Sequence, residues 1–196
     1  MKKLILTTVL GVLGLVLSAQ NVTSTIMVNS TDPVTGLRSL GTDMKTVRNG
    51  MTDEHPLELG LAAVETPEGW MYSLTVTVAE LVSRPLPEKG LLLLKTTTGE
   101  VIELTNHMET LQSQDFEGDA VPGSSVLVYH NRGGYSVTME QLMKLGREGV
   151  QKLRIQTPGG YHETIYKKDL WRSVISAHVN AIHAEIKNKK DIRADF

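Results

Sequence analysis

The chain has 196 residues, of which 40% are hydrophobic and 21% charged, and its net charge is −2. That balance excludes global disorder and a strongly basic nucleic-acid-binding domain, and the length suits one domain or two small ones. Cysteine is absent, so disulfide staples, thiolate catalysis and thiolate zinc sites are excluded as well.

Lys2 and Lys3 form a basic start, Leu4 to Leu17 is an almost unbroken apolar run, and Ser18-Ala19-Gln20 offers small residues for cleavage. Charge, apolar stretch and small residues in that order are a secretory signal peptide, too short to span a bilayer. The expected mature chain starts near Gln20 and is a soluble periplasmic or extracellular protein. Without a cysteine after the signal, it is not a lipoprotein.

Residues 20–56 form a polar N-terminal segment rich in Thr, Ser, Asn and Asp. Asp32-Pro33 and Thr35-Gly36 read as turns, with short edge strands expected near Thr25 to Val28 and Met44 to Val47. The sequons at Asn21 and Asn29 matter only in a eukaryotic secretory pathway. Residues 57–196 carry the expected α+β domain. Leu57, Leu59, Leu61 and Ala63 alternate with other residues, and so do Trp70, Tyr72, Leu74, Val76 and Val78 after the turn Thr66-Pro67-Glu68-Gly69. This predicts a β-hairpin. Leu91 to Leu94, apolar on both faces, predicts a central strand covered on each side, and Val101 to Leu104 its hairpin partner.

Asn106 to Ser124 reads as a long acidic loop, with a helical turn near Met108 to Leu111. Ser125 to His130 predicts a strand, and Asn131-Arg132-Gly133-Gly134 a turn into Tyr135 to Val137. Thr138 and Gln141 form a capping box for a short helix over residues 139–147, stopped by Gly149. Val150 to Thr157 and Tyr161 to Lys167 form a further hairpin around Pro158-Gly159-Gly160, with Leu153 and Ile155 opposite in facing to Lys152 and Arg154. A C-terminal amphipathic helix is expected over residues 169–189. Its stripe is Trp171, Ile175, Val179, Ile182 and Ile186, packed on the sheet. Asp169 at its start and Lys187, Lys189 and Lys190 at its end match the helix dipole.

Charge is unevenly distributed. Residues 41–120 hold 14 acidic against 5 basic side chains, and residues 121–196 hold 12 basic against 7 acidic. Such a split either steers a charged partner or packs complementary surfaces together.

Six histidines (His55, His107, His130, His162, His178 and His183) raise the question of a metal. His178 and His183 are five apart, about 140° around a helix, whereas a helical zinc pair is four apart. His178 beside the apolar stripe reads as a partly buried, hydrogen-bonded histidine. Asp115, Glu117 and Asp119 alternate around Gly118 as at the start of a calcium loop, but position twelve is Val126, where an EF-hand needs glutamate. The expectation is therefore no metal and no cofactor. Nor is there a Gly-x-Ser-x-Gly elbow, and Gly133-Gly134 and Gly159-Gly160 lead into β segments instead of a phosphate-binding helix. Trp70 and Trp171 fall on apolar faces and read as core.

From Thr138 the run Thr-Met-Glu-Gln-Leu-Met-Lys-Leu, then Gly149-Val150-Gln151-Lys152-Leu153-Arg154-Ile155 and Gly159-Gly160-Tyr161, resembles the C-terminal part of small exported Bacteroidetes proteins of unknown function. The resemblance covers about residues 138–185, and Ala19-Gln20 is similar to a cleavage junction of that group. It implies an envelope location and an α+β fold, and it brings no catalytic residue. Residues 20–137 lie outside it. The expected fold is α+β with mainly antiparallel hairpins. The expected function is a non-enzymatic binding or interaction module with a protein or saccharide partner and no nucleic acid. The rival is a hydrolase of saccharide or peptide that uses carboxylates from the acidic half.

Overall fold

The computed structural model describes residues 22–47, 57–81, 83–109, 111–118, 125–166 and 171–188. In chain order the strands are β1 Ile26–Thr31, β2 Arg38–Thr42, β3 Lys45–Val47, β4 Leu57–Thr66, β5 Gly69–Glu80, β6 Leu91–Thr96, β7 Val101–Thr105, β8 Leu111–Gly118 and β9 Ser125–Val137. Helix α1 (Met139–Glu148), β10 (Val150–Thr157), β11 (Gly160–Ile165) and helix α2 (Trp171–Lys187) follow. All pairings are antiparallel. One sheet runs β1-β2-β4-β5-β9-β8 with β3 added to β4, and the second runs β11-β10-β6-β7. The α+β reading holds, and α2 packs on the first sheet against β4, β2, β1 and β3.

Period-2 alternation builds the core. Leu57, Leu59, Leu61 and Ala63 on β4, and Leu74, Val76 and Val78 on β5, all point to one buried side. Leu92, Leu94, Ile102, Leu104, Leu153 and Ile155 supply the second sheet's inner face, and Trp171, Ile175, Val179 and Ile182 supply the stripe of α2. All join a single apolar cluster. Trp70 packs at its margin, Trp171 is fully buried, and Ile186 closes the stripe half-exposed.

The local signals act as expected at α1. Thr138 Oγ1 accepts from Gln141 N at 3.1 Å, Gln141 Oε1 accepts from Thr138 N at 2.9 Å, and Gly149 ends the helix at φ 74°. Glu148 then ties the helix end to the β6–β7 turn. Thr98 donates to its carboxylate at 2.7 Å and Lys144 lies at 3.2 Å; with Thr98 foremost, these contacts pull its carboxyl down to about 2 against some desolvation. In the N-terminal segment the Asp32 carboxylate accepts from Val34 N and Thr35 N, each at 2.8 Å, and Gly36 turns the chain at φ 70°.

Four expectations need correction. The region from Asn106 onward is not one long loop with a helical turn: Leu111–Gly118 is strand β8, paired along its length with β9. Asn131-Arg132-Gly133-Gly134 is not a turn, because β9 runs unbroken for 13 residues and these four pair with Val78, Thr77, Val76 and Thr75 of β5. The two glycines are needed there for close approach. A Cβ at Gly133 would meet Leu86 and Tyr135 at 3.2 Å, and Gly134 lies under the side chain of Met108. β6 is central, but only Leu92 and Leu94 are buried; Leu91 and Leu93 face outward, half-exposed. Strand β2, absent from the sequence reading, pairs β1 with β4 and thereby merges the polar N-terminal segment into the first sheet. Asp169, Lys189 and Lys190 lie outside the described residues, as do residues 1–21, where the signal was expected, and with them the sequon Asn21. Among the described residues no helix is long and apolar enough to cross a membrane.

Candidate functional site

The side-chain cluster that most resembles catalytic machinery joins three distant parts of the chain. Ser24 lies in the extended lead-in to β1, Asp43 in the break between β2 and β3, and His178 in the middle of α2. The break exists because β2 and β3 pair with two separate stretches of β4; Thr42 Oγ1 fills it by accepting from Leu61 N at 2.8 Å. His178 Nδ1 is 2.8 Å from Ser24 Oγ, and Ser24 Oγ is 2.7 Å from Asp43 Oδ1. Asp43 also accepts from Thr25 N at 3.0 Å and pairs with Lys45 at 2.6 Å.

Proton counting fixes the roles. His178 Nε2 is 3.1 Å from the Leu59 carbonyl, which can only accept, so Nε2 carries a proton and Nδ1 of the neutral ring is an acceptor. Ser24 has one hydroxyl proton to share between His178 and Asp43. Burial draws the His178 imidazole down to about 4, with Asp43 pulling the other way, so the ring is neutral at pH 7. Partial burial pushes the Asp43 carboxyl up, but hydrogen bonds from Lys45, Ser24 and Thr25 outweigh it and hold Asp43 below the usual range.

This is not a nucleophilic triad. In such a triad the carboxylate orients the histidine; here it binds the serine, and a main-chain carbonyl takes the second ring nitrogen. His178 is fully buried, and the group works as a tie between the N-terminal segment, β4 and α2. A partly buried, hydrogen-bonded histidine was expected; the ring is fully buried, and its partners became visible only in three dimensions.

A second serine–histidine contact lies on the outer face of the first sheet. His107 Nε2 is 2.9 Å from Ser73 Oγ, and His107 N donates to Gly134 O at 2.9 Å. Here His107 is exposed, so it lacks the enclosed, water-poor setting that acyl transfer uses.

The remaining histidines are dispersed. His130 is on β9, His162 on β11 within 3.2 Å of Thr164 Oγ1, and His183 on α2; His55 lies outside the described residues. Asp115 and Glu117, expected in a loop, belong to strand β8 and pair with Val128 and Val126, while Asp119 is outside the described residues. Among the described residues, no three His, Asp or Glu side chains converge to hold a metal ion.

Two surfaces remain. A groove of about 260 Å³ runs between α1 and α2, lined by Leu142, Met143 and Gly146 on one side and Ser176, Val179 and Asn180 on the other. The two helices cross tightly there: Ser176 Oγ donates to the Gly146 carbonyl at 3.3 Å, and a Cβ at Gly146 would sit 3.0 Å from Ser176 Oγ. The other surface is the outer face of the first sheet. Val64 on β4 lies directly opposite Met71 on β5, at 42% and 61% exposure, and Val28 packs over Gly41 one row along. Gly41, Ala62, Ser73 and Ser136 form a row of small residues, low from Gly41 to Ala62 and crossed at Ser73 by His107. Alternation revealed which residues point inward, but the outward rows depend on register, which no local signal carried. No family model, curated protein or solved structure matches the chain.

Proposed function

We propose that this chain is an exported, non-enzymatic binding module of the bacterial envelope, akin to the small Bacteroidetes proteins that its C-terminal part resembles. Its partner is a protein that docks on the outer face of the first sheet. The observation that carries the reading is the cross-strand pair Val64–Met71. Two apolar side chains stand exposed beside Val28 on a face whose neighbouring row is Gly, Ala and Ser. The patch of Val28, Val64 and Met71 with Gly41 and Ala62 holds no charged side chain and loses little solvation when covered, whereas the second sheet's outer face sets its exposed Val101, Tyr161 and Ile165 among Lys95, Lys152, Arg154 and Glu163. The tie around His178 adds support, since the most triad-like cluster is committed to joining the N-terminal segment to α2.

Two measurements test this. Mass spectrometry of the protein from its native envelope should find an N-terminus near Gln20; retention of Met1 to Ala19 would sink the export reading. Crosslinked capture from the same envelope should yield a partner with wild type and with the control Val101→Glu, which alters the other sheet. Capture should drop at least tenfold with Met71→Glu, while thermal stability changes little because Met71 is exposed. Equal capture by Met71→Glu and wild type, or capture abolished by free envelope saccharide, would overturn the protein-partner reading.

A further inference from the structure

We propose that Val22–Thr25 is an acid-released strap: protonation of His178 uncouples Ser24 from α2 and frees this segment while both sheets stay folded. This inference stands apart from the binding reading and rests on different residues. The strap is held by few contacts. Val22 packs at the margin of the apolar cluster, Ser24 Oγ reaches His178 Nδ1 at 2.8 Å and Asp43 at 2.7 Å, Thr25 N donates to Asp43 Oδ1, and Thr25 O accepts from Asp43 N at 2.9 Å. Thr23 and Thr25 are exposed. By contrast, β4 and β5 pair over ten consecutive positions behind it. A segment with so little burial opens at far lower cost than the sheet does.

The charged groups around His178 set the sign. Around the strap and the β2–β3 break these are Asp43 and Lys45. β4 brings the Leu59 carbonyl and no ionisable side chain at that point. Arg38 of β2 is paired with Glu185 of α2 at 3.2 Å, and Arg147 of α1 with Glu148 at 3.3 Å. α2 itself adds Arg172 and His183. Of all these, Asp43 favours the imidazolium and Lys45 opposes it. Asp43 is already neutralised by Lys45 at 2.6 Å, so it offers a buried imidazolium little net attraction. The fully buried ring therefore resists charging while the strap is closed, and accepts a proton readily once the strap opens and water reaches Nδ1. Between the ordinary histidine value and the depressed one, the open form binds the extra proton. Acid then favours opening, and rising pH favours closure.

One arrangement would act the other way. An imidazolium could donate Nδ1–H to Ser24 while Ser24 donates to Asp43, a relay that would tighten the strap in acid. The experiment separates the two. Amide hydrogen exchange of the purified protein is followed from pH 7 to pH 4.5, corrected for intrinsic exchange. Protection of Thr23–Ile26 should fall on the order of 10- to 100-fold, as expected for a histidine that burial draws down to about 4 in the closed state. Protection of Leu59–Leu61 and Leu74–Val78 should stay at least tenfold higher throughout. In Ser24→Ala the strap should exchange fast at every pH, with its pH dependence gone. Strap protection that is flat or rises on acidification, or an acid-dependent loss that persists in Ser24→Ala, would overturn the proposal.

Discussion

Replacing Asn106 with alanine should lower the unfolding free energy by about 2–4 kcal/mol, because three main-chain groups lose their partner at once and at least one of them is sealed from water. Asn106 is fully buried just past β7, where the second sheet meets the first. Its Oδ1 accepts from Gly134 N at 3.1 Å and Met108 N at 3.2 Å, and its Nδ2 donates to the Pro87 carbonyl at 3.0 Å. The Asn106→Asp variant keeps both acceptor contacts but sets a carboxylate oxygen against that carbonyl. Its carboxyl should therefore protonate at a higher pH when folded than when unfolded. The loss of stability should be full at pH 7 and recede as pH falls through the ordinary carboxylate range, when the acid can again donate to Pro87. Urea denaturation at pH 7 and pH 4 measures both effects. A variant whose deficit relative to wild type grows on acidification would show that the amide's donor is not what matters.

Ile182→Ala should cost a similar amount, about 2–4 kcal/mol, through lost apolar transfer energy and the cavity left behind. Ile182 is fully buried in the stripe that α2 lays on β4 and β2, together with Trp171, Ile175 and Val179. Asn180, one face over and exposed, should tolerate alanine within about 0.5 kcal/mol. If the two variants unfolded at the same urea concentration, α2 would be an accessory and not a wall of the core.

Elements whose signals are local were legible in the sequence, and those whose reasons lie far along the chain were not. The β4–β5 hairpin, α1 with its capping box and the stripe of α2 are written in period and punctuation that a dozen residues can carry. β2 has one buried apolar residue, Leu40; its other inward side chain, Arg38, is matched by Glu185 at 3.2 Å, 147 positions away. β8 lacks apolar alternation because it is an edge. Gly133-Gly134 has the composition of a turn, and only the side chains of Leu86, Tyr135 and Met108 crossing over it explain why glycine belongs inside a strand. The same held for the tie at His178. Its burial was legible from the stripe, but Ser24, Asp43 and Leu59 were not, because they come from three separate segments.

The order in which the chain visits its two sheets has a consequence for how it can be made and broken. β1–β5 enter the first sheet, β6 and β7 the second, β8 and β9 return to the first, and β10 and β11 to the second. No cut leaves both sheets whole: the first is completed only by β9 at Val137, and the second only by β11 at Ile165. β5 waits for β9 as its second neighbour, and β6 for β10, across closures that bring no contact energy until the later strand arrives. A chain emerging from a ribosome or a translocation pore thus holds at least one half-built sheet until about residue 165. It should neither tolerate truncation within that span nor melt in stages, but behave as one cooperative unit that is whole or absent.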